Sequence, residues 1–284
     1  MEELPISIYK AVNRYQAVET DGMILYPIPV SLYGEFLMAR GALEVMHQSL
    51  PVRLMRVPLL SALYAMDYEA VSAGQSATGL FSRSLLALAL SLRLGEGQSI
   101  EARVGAFRIM VDRADPAKLM GLRFSDETGE EREITPALYA KLRRIIAAQN
   151  GVRLESDEAN PDIVKAQKTK ESANAVALDA NIEDWIAAVS ALTGADESEI
   201  DAWPILKFQR RSDSLRRVLD YLVCGFGEMN GTTWKGGNPS PHPFFSRVRD
   251  GRGVLSALGG TGDGSQPAPP SAAGAIRDFT KQFL

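Results

Sequence analysis

The chain has a single cysteine, Cys224, among 284 residues. An internal disulfide is therefore excluded, and a reducing cytoplasm is the expected home. Cys224 falls on the apolar side of a helical stretch and reads as a packing residue. The two histidines, His47 and His242, stand far apart and in unlike contexts. With one cysteine and no HxxxH or HxH pattern, no zinc site of ordinary ligand spacing is built, and neither a metal nor a cofactor is expected. His47 reads as an ordinary helix residue, and His242, between Pro241 and Pro243, as part of a stiff loop. An excess of one charge is also missing. Lys and Arg number 31 against 35 Asp and Glu, a net charge of -4, so neither nucleic acid nor an anionic membrane is indicated as a partner. The opening MEELPIS is acidic where a secretory signal would be basic. The longest apolar run, Leu85 to Leu94, is about half a membrane span and reads as a central buried helix.

Signatures of catalysis are lacking too. Gly74 and Gly79 have the outer spacing of a phosphate loop, but Leu80 and Phe81 stand where Lys and Ser/Thr are required. The GQSAT and GQSIE segments both miss the last glycine of a nucleophile elbow. Asp157, Glu158 and Asp162 cluster in a polar stretch, without the pocket that would shift a carboxyl for acid–base work. The chain is expected to be no enzyme.

What is present is an α+β protein, mostly α-helical. Residues 1–30 read as two β-prone runs, SIYKAVNRYQAVE and MILYPIPV, around Gly22. Pro27 and Pro29 restrict the second run to an edge strand or an extended entry segment. Helical periods follow from Ser31, a candidate N-cap, to Pro51, from Pro58 to Gly74, and from Ser76 to Leu94. GQSIEARVGAFRIMVD alternates imperfectly and, with KLMGLRFSDETGEEREIT, predicts a β-hairpin or short meander. Thr135-Pro136 opens a helix that Asn150-Gly151 closes. These elements make an N-terminal mixed domain over residues 1–152. A charged linker is expected over 153–180, a helical module over 181–231, and a loop with a low-complexity, disordered tail over 232–284.

The helical module carries the candidate contacts. Asn181 caps a helix with the stripe Ile182, Trp185, Ile186, Val189 and Leu192, and Gly194 stops it. A second start lies at Asp196 with Glu199 at capping-box spacing. Pro204 fits the first turn of a third helix, with Ile205, Phe208, Leu215, Val218, Leu219, Leu222, Val223 and Phe226 on one wide face. Trp185, Trp203, Phe208 and Phe226 are the aromatic candidates for partner binding, weighed against plain core packing. Lys207, Arg210, Arg211 and Arg217 are the basic residues of this helix, the first three on one side. They read first as a solvated face with helix-face ion pairs, then as a docking stripe for an acidic protein partner, and last as a contact to a phosphate backbone.

The segments ITPALYAKLRRIIAAQNGV, ESDEANPDIVKA, IEDWIAAVSALTGADESEIDAWPILKFQRR and DYLVCGFGEMNGTTWKGGNPSPHPFF, in this order over residues 134–250, resemble a family of phage and prophage proteins encoded in the tail gene cluster. These are the tail assembly chaperones. The resemblance implies a non-enzymatic protein of the host cytoplasm. It would shield apolar helices of the tape measure protein before tail tube polymerisation, with the tape measure protein, the tail tube protein and a second copy of itself as partners. It leaves open the alternative of a structural component of the tail or baseplate retained in the virion. A groove for an amphipathic helix with aromatic anchors is the physical requirement of the chaperone reading.

Overall fold

The computed structural model describes residues 4–154, 166, 181–233, 238 and 240. Apart from those positions, the expected linker over 153–180 and the expected tail over 232–284, His242 included, lie outside the described residues. The chain divides into two compact units. One comprises Met1–Val164 and Glu197–Phe208, the other Lys165–Asp196 and Gln209–Leu284.

The first unit opens with a helix, α1 (Ile6–Asn13), where a β-prone run was expected. Eight residues support either period. Burial of Ile8 and Val12, four apart, selects the helical one. A two-stranded hairpin follows, β1 (Val18–Thr20) with β2 (Met23–Leu25), paired antiparallel. Its turn residues Asp21 and Gly22 both have positive φ, the type I′ geometry that matches strand twist.

Next comes the extended segment Tyr26–Val30, which ties the unit together. Its two prolines donate nothing, and each remaining N–H goes to a different element. Tyr26 donates to the Ser91 carbonyl (2.7 Å), Ile28 to the Asn150 side-chain oxygen (3.0 Å) and Val30 to the Trp203 carbonyl (2.9 Å). The Ile28 carbonyl in turn accepts from Ile205 (2.9 Å), and Pro29 and Pro204 form an isolated antiparallel bridge. Of the two sequence readings, this is the extended entry segment.

A 3-10 turn, Val30–Leu32, holds Ser31, so the expected N-cap is instead inside the turn and α2 (Tyr33–Leu43) starts without a side-chain cap. That helix stops well before Pro51. Arg143 donates to the carbonyls of Leu43 (2.8 Å) and Val45 (2.6 Å), satisfying its C-terminal end. His47 lies in a later 3-10 turn, where its Nε2–H donates to the Val57 carbonyl (2.6 Å), a structural role.

Helices α3 (Leu59–Ser72) and α4 (Leu80–Ser91) are joined through Asp67. One of its carboxylate oxygens accepts from the N–H groups of Thr78 and Gly79 and from the Thr78 hydroxyl; the other accepts from the Phe81 N–H. This is why α4 begins at Leu80 rather than Ser76: the intervening N–H groups are held by a carboxylate from another helix. The run from Leu85 to Leu90 is buried all round, and α4 packs against α2, α3, α5 and α6.

Within the expected β-run at 97–112, Ile100–Gly105 is instead a helix, α5. The Ser99 hydroxyl caps it by accepting from Ala102 N–H (3.3 Å), and only Arg108–Val111 is extended, as β3. With β4 (Leu119–Ser125) and β5 (Glu131–Ile134) it makes an antiparallel meander, order β3-β4-β5. Leu122 and Phe124 of β4 and Ile134 of β5 face the core.

Helix α6 (Pro136–Gln149) starts at the Thr135 cap and stops at Asn150-Gly151, as expected. The amide of Asn150 donates to the Ile146 carbonyl (2.8 Å), and Gln149 donates to the Leu25 carbonyl (3.0 Å). The unit closes with α8 (Glu197–Asp201) and the first residues of α9 (Ile205–Met229).

In the second unit, α7 (Ile182–Thr193) has the expected cap. Asn181 and Asp184 exchange side-chain bonds in a capping box, and Gly194 takes the left-handed conformation. The rest of α9, from Gln209, belongs here. It ends at Asn230-Gly231.

The helical module expected over 181–231 is therefore corrected. Glu197–Phe208 groups with the N-terminal residues, because Trp203 and Ile205 make backbone hydrogen bonds to Val30 and Ile28. The fold class is α+β, mostly helical, with two small antiparallel sheets.

A candidate apolar docking face on α9

The four aromatic candidates separate into two pairs. Trp203 and Phe208 are core residues, 7% and 1% exposed. The Trp203 indole N–H donates to Glu199 (3.2 Å) and the Lys207 ammonium lies 4.0 Å over its ring. Of the two readings weighed for them, partner anchor and plain core packing, these two are core packing. The chain returns to the N-terminal segment here, and the return buries them. Lys207 is accordingly held against an aromatic face rather than offered to solvent. Trp185 and Phe226, by contrast, are 45% and 61% exposed.

Phe226 belongs to a continuous apolar face. Leu219, Leu222, Phe226 and Met229 repeat at spacings of three and four, and Leu215, half-buried, extends the series by one further step. Val218 and Val223 flank them. From Val218 onward these side chains are all exposed. Isolated exposed apolar residues are ordinary, but a contiguous row of this kind marks an interaction site. Gly225 interrupts the row. A methyl added there would meet nothing within 4 Å, so the glycine leaves a notch in the face. Around it Tyr221, Leu222, Phe226 and Met229, with Asn238, line an open groove of ≈ 440 Å³.

The opposite side of the helix differs. Cys224 is buried there. Burial, reinforced by the negative charges of Asp220 and Glu228, pushes its thiol above the usual range. Such a thiol is a poor nucleophile.

Charge is segregated along the same helix. Arg210, Arg211, Arg216 and Arg217 lie N-terminal of Val218, with Asp213 the acidic member, paired to Arg216 at 3.1 Å. Beyond Val218 the helix carries Asp220 and Glu228 and no basic residue. Arg211 is exposed, and Arg210 is exposed and engaged in contacts of its own.

Elsewhere the buried polar groups serve the fold. Tyr139 is fully enclosed, and burial raises its phenol. Among the described residues no group of three or more His, Cys, Asp and Glu is placed to hold a metal ion, and no helix is long and apolar enough to cross a membrane. No family model, no curated protein and no solved structure matches the chain.

Periodicity in the sequence is enough to place Leu219, Leu222 and Phe226 on one face. Sequence reading missed Gly225 and Met229, which complete the groove. The signal was available, since a glycine inside an otherwise apolar helix marks a place of close approach.

Proposed function

We propose that this chain is a non-catalytic phage tail assembly chaperone. It works in the host cytoplasm and covers apolar helices of the tape measure protein until tail tube subunits assemble around them. The observation that carries this reading is the exposed apolar face of α9, a groove shaped for the apolar side of another helix. The order of segments over residues 134–250, which resembles the tail chaperones, supplies the identity of the partner. Phe226 and Trp185 are the aromatic anchors of this proposal, and the groove beside Gly225 receives a partner side chain.

The test is mass spectrometry on tagged protein in its phage or prophage background. Co-purification with a long helical protein from lysate, and absence from purified particles, is the expected result. Presence in particles at fixed stoichiometry would instead make it a tail or baseplate component. Trp185→Ala combined with Phe226→Ala should weaken capture of the tape measure protein about tenfold or more, as for loss of aromatic anchors. Normal capture by the double variant would place the contact elsewhere.

A further inference from the structure

We propose that β3 pairs with β3 of a second copy of this chain, antiparallel about a two-fold axis at Met110, joining the two β3-β4-β5 sheets into one. The proposal stands on the first unit alone and does not depend on the tape measure reading.

Strand β3 is an edge of its sheet, with β4 on its other side. One bond shows which backbone groups it turns outward. The Asp112 N–H donates to the Lys118 carbonyl at 3.0 Å, so position 112 faces β4. Backbone polar groups alternate along a strand. Arg108 and Met110 therefore also bond toward β4, and the N–H and C=O of Ile109 and Val111 point outward. Strand β3 itself is regular. Met110 is opposite Gly121 and Val111 opposite Leu119, so the extra residue of the bulge, Met120, is on β4. Open edges are commonly guarded by a bulge, a proline or an inward-pointing charge, and Arg108–Val111 has none of these. The side chains fit an open edge as well. Ile109 and Val111 share the sheet face of Leu119, Leu122 and Ile134. Those three are buried, whereas Ile109 and Val111 are 45% and 39% exposed. The apolar layer of the sheet runs on past its last strand.

Self-complementarity selects a second copy as the occupant. With Met110 opposite Met110, Ile109 of each copy stands opposite Val111 of the other. These are the residues with outward N–H and C=O groups, so each such pair exchanges both of its hydrogen bonds. The same register sets Arg108 of each copy directly opposite Asp112 of the other, on one face of the joined sheet. Sliding the copies by two residues either way keeps the backbone bonds and loses both charge pairs. Parallel copies in register would set Arg108 beside Arg108. Both charges are within reach of a second copy. The Arg108 side chain is 82% exposed, and its nitrogen lies a long 3.5 Å from Glu131. Asp112 accepts from Lys118 (3.3 Å) and from the Ala114 N–H (2.8 Å), and its carboxylate has lone pairs for a further donor.

So short a strand buries little surface, and a weak dimer with a dissociation constant on the order of 0.1–1 mM is expected.

Disulfide capture in the full chain reads the register. In a Cys224→Ala background, Met110→Cys lies on the axis, at a non-hydrogen-bonded pair whose Cα atoms are about 4.5 Å apart, within disulfide reach. It should give a covalent dimer on mild oxidation. Ser125→Cys, exposed at the far end of β4, should not. Sedimentation equilibrium reads the charges. Arg108→Asp alone and Asp112→Arg alone each set like charges together and should weaken association about tenfold. An equimolar mixture of the two should restore it, because their heterodimer has opposite charges at both ends. Val111→Pro removes an outward N–H without touching the β4 ladder and should weaken association severalfold. Circular dichroism checks that each variant keeps its fold. Absence of the Met110→Cys dimer overturns the proposal, and so does a mixture no tighter than its separate components. Ile109 and Val111 amides protected from hydrogen exchange at concentrations far below the association range would mean that another segment of the chain covers the edge, and would overturn it as well.

Discussion

Two helices of this protein stop in the same way and meet opposite fates. Helix α6 ends in Asn150-Gly151 and α9 in Asn230-Gly231. In each, the asparagine amide donates to the carbonyl four residues back at 2.8 Å, and the glycine takes a left-handed φ, 70° and 82° respectively. In each, the residue after the glycine donates back into the last turn, Val152 to Ala147 and Thr232 to Gly227, both at 2.8 Å. The local chemistry is one and the same C-terminal motif. The difference is what lies beyond it. Asn150 is buried, and its side-chain oxygen accepts the Ile28 N–H; Asn230 is exposed. The same contrast runs up both helices. Tyr139, Leu142, Ile145 and Ile146 of α6 are buried in the core, whereas Leu219, Leu222 and Phe226 of α9 are exposed. A stop signal sets where a helix ends. It does not decide how deeply the helix's apolar face is buried.

The contrast can be broken most severely through the two apolar faces. Ile146→Ala should lower stability by about 2–5 kcal/mol, as for a fully buried aliphatic side chain, while Phe226→Ala should stay within about 0.5 kcal/mol. Urea denaturation of the two variants, at concentrations too low for self-association, measures the gap. Equal losses would mean that α9 is as tightly covered as α6. The caps come next. Asn150→Ala leaves the Ile28 N–H without its acceptor and should cost about 1–3 kcal/mol. Asn230→Ala removes a solvated bond and should cost a few tenths of a kcal/mol, as for other exposed groups. Gly225→Ala reverses the sign. No atom lies within 4 Å of the added methyl, so the α9 helix should gain about 0.5–1 kcal/mol. Hydrogen exchange along residues 218–229 reads that gain, and slower exchange is expected.

The smallest effect sharpens the idea that local motifs are self-sufficient. In the β4–β5 turn, Asp126 accepts from the Thr128 hydroxyl and from Arg132, and its carboxyl is held down from its ordinary 3.8 to about 2. The folded value lies below the unfolded one. The turn's contribution to stability is thus complete above about pH 4 and is lost as the pH falls toward 2. An NMR titration of the Thr128 amide should show a midpoint near the lower value and no change near neutrality. A midpoint near 4 would mean that the turn is not formed.

Much of this was readable from residues alone, and the exceptions share a cause. Thr135-Pro136, Asn150-Gly151, the Asn181–Asp184 box and Gly194 are chemistry between near neighbours, and the structure has each of them where the sequence puts it. Helices α1 and α5 were legible only as short runs, where the periods two and 3.6 are hard to tell apart. At the site, spacing put Trp185, Trp203, Phe208 and Phe226 in one class. It cannot see that Trp203 and Phe208 lie where the chain turns back to residues 28–30, because that pairing joins segments with no shared local pattern. Nor can it show that Asn150 has a second partner, 122 residues away.

That return has a consequence for how the protein is made. Tyr26 and Ile28 find their acceptors as soon as Ser91 and Asn150 exist, but the Val30 N–H and the Ile28 carbonyl wait for Trp203 and Ile205. At roughly 5–20 residues per second, ribosomal synthesis leaves that edge open for on the order of several seconds. All of α7 is synthesised in the interval. The N-terminal unit is thus completed by one of the later segments to emerge. A nascent chain halted near residue 180 would carry an unpaired backbone edge at its oldest folded part, available to any extended segment that reaches it first.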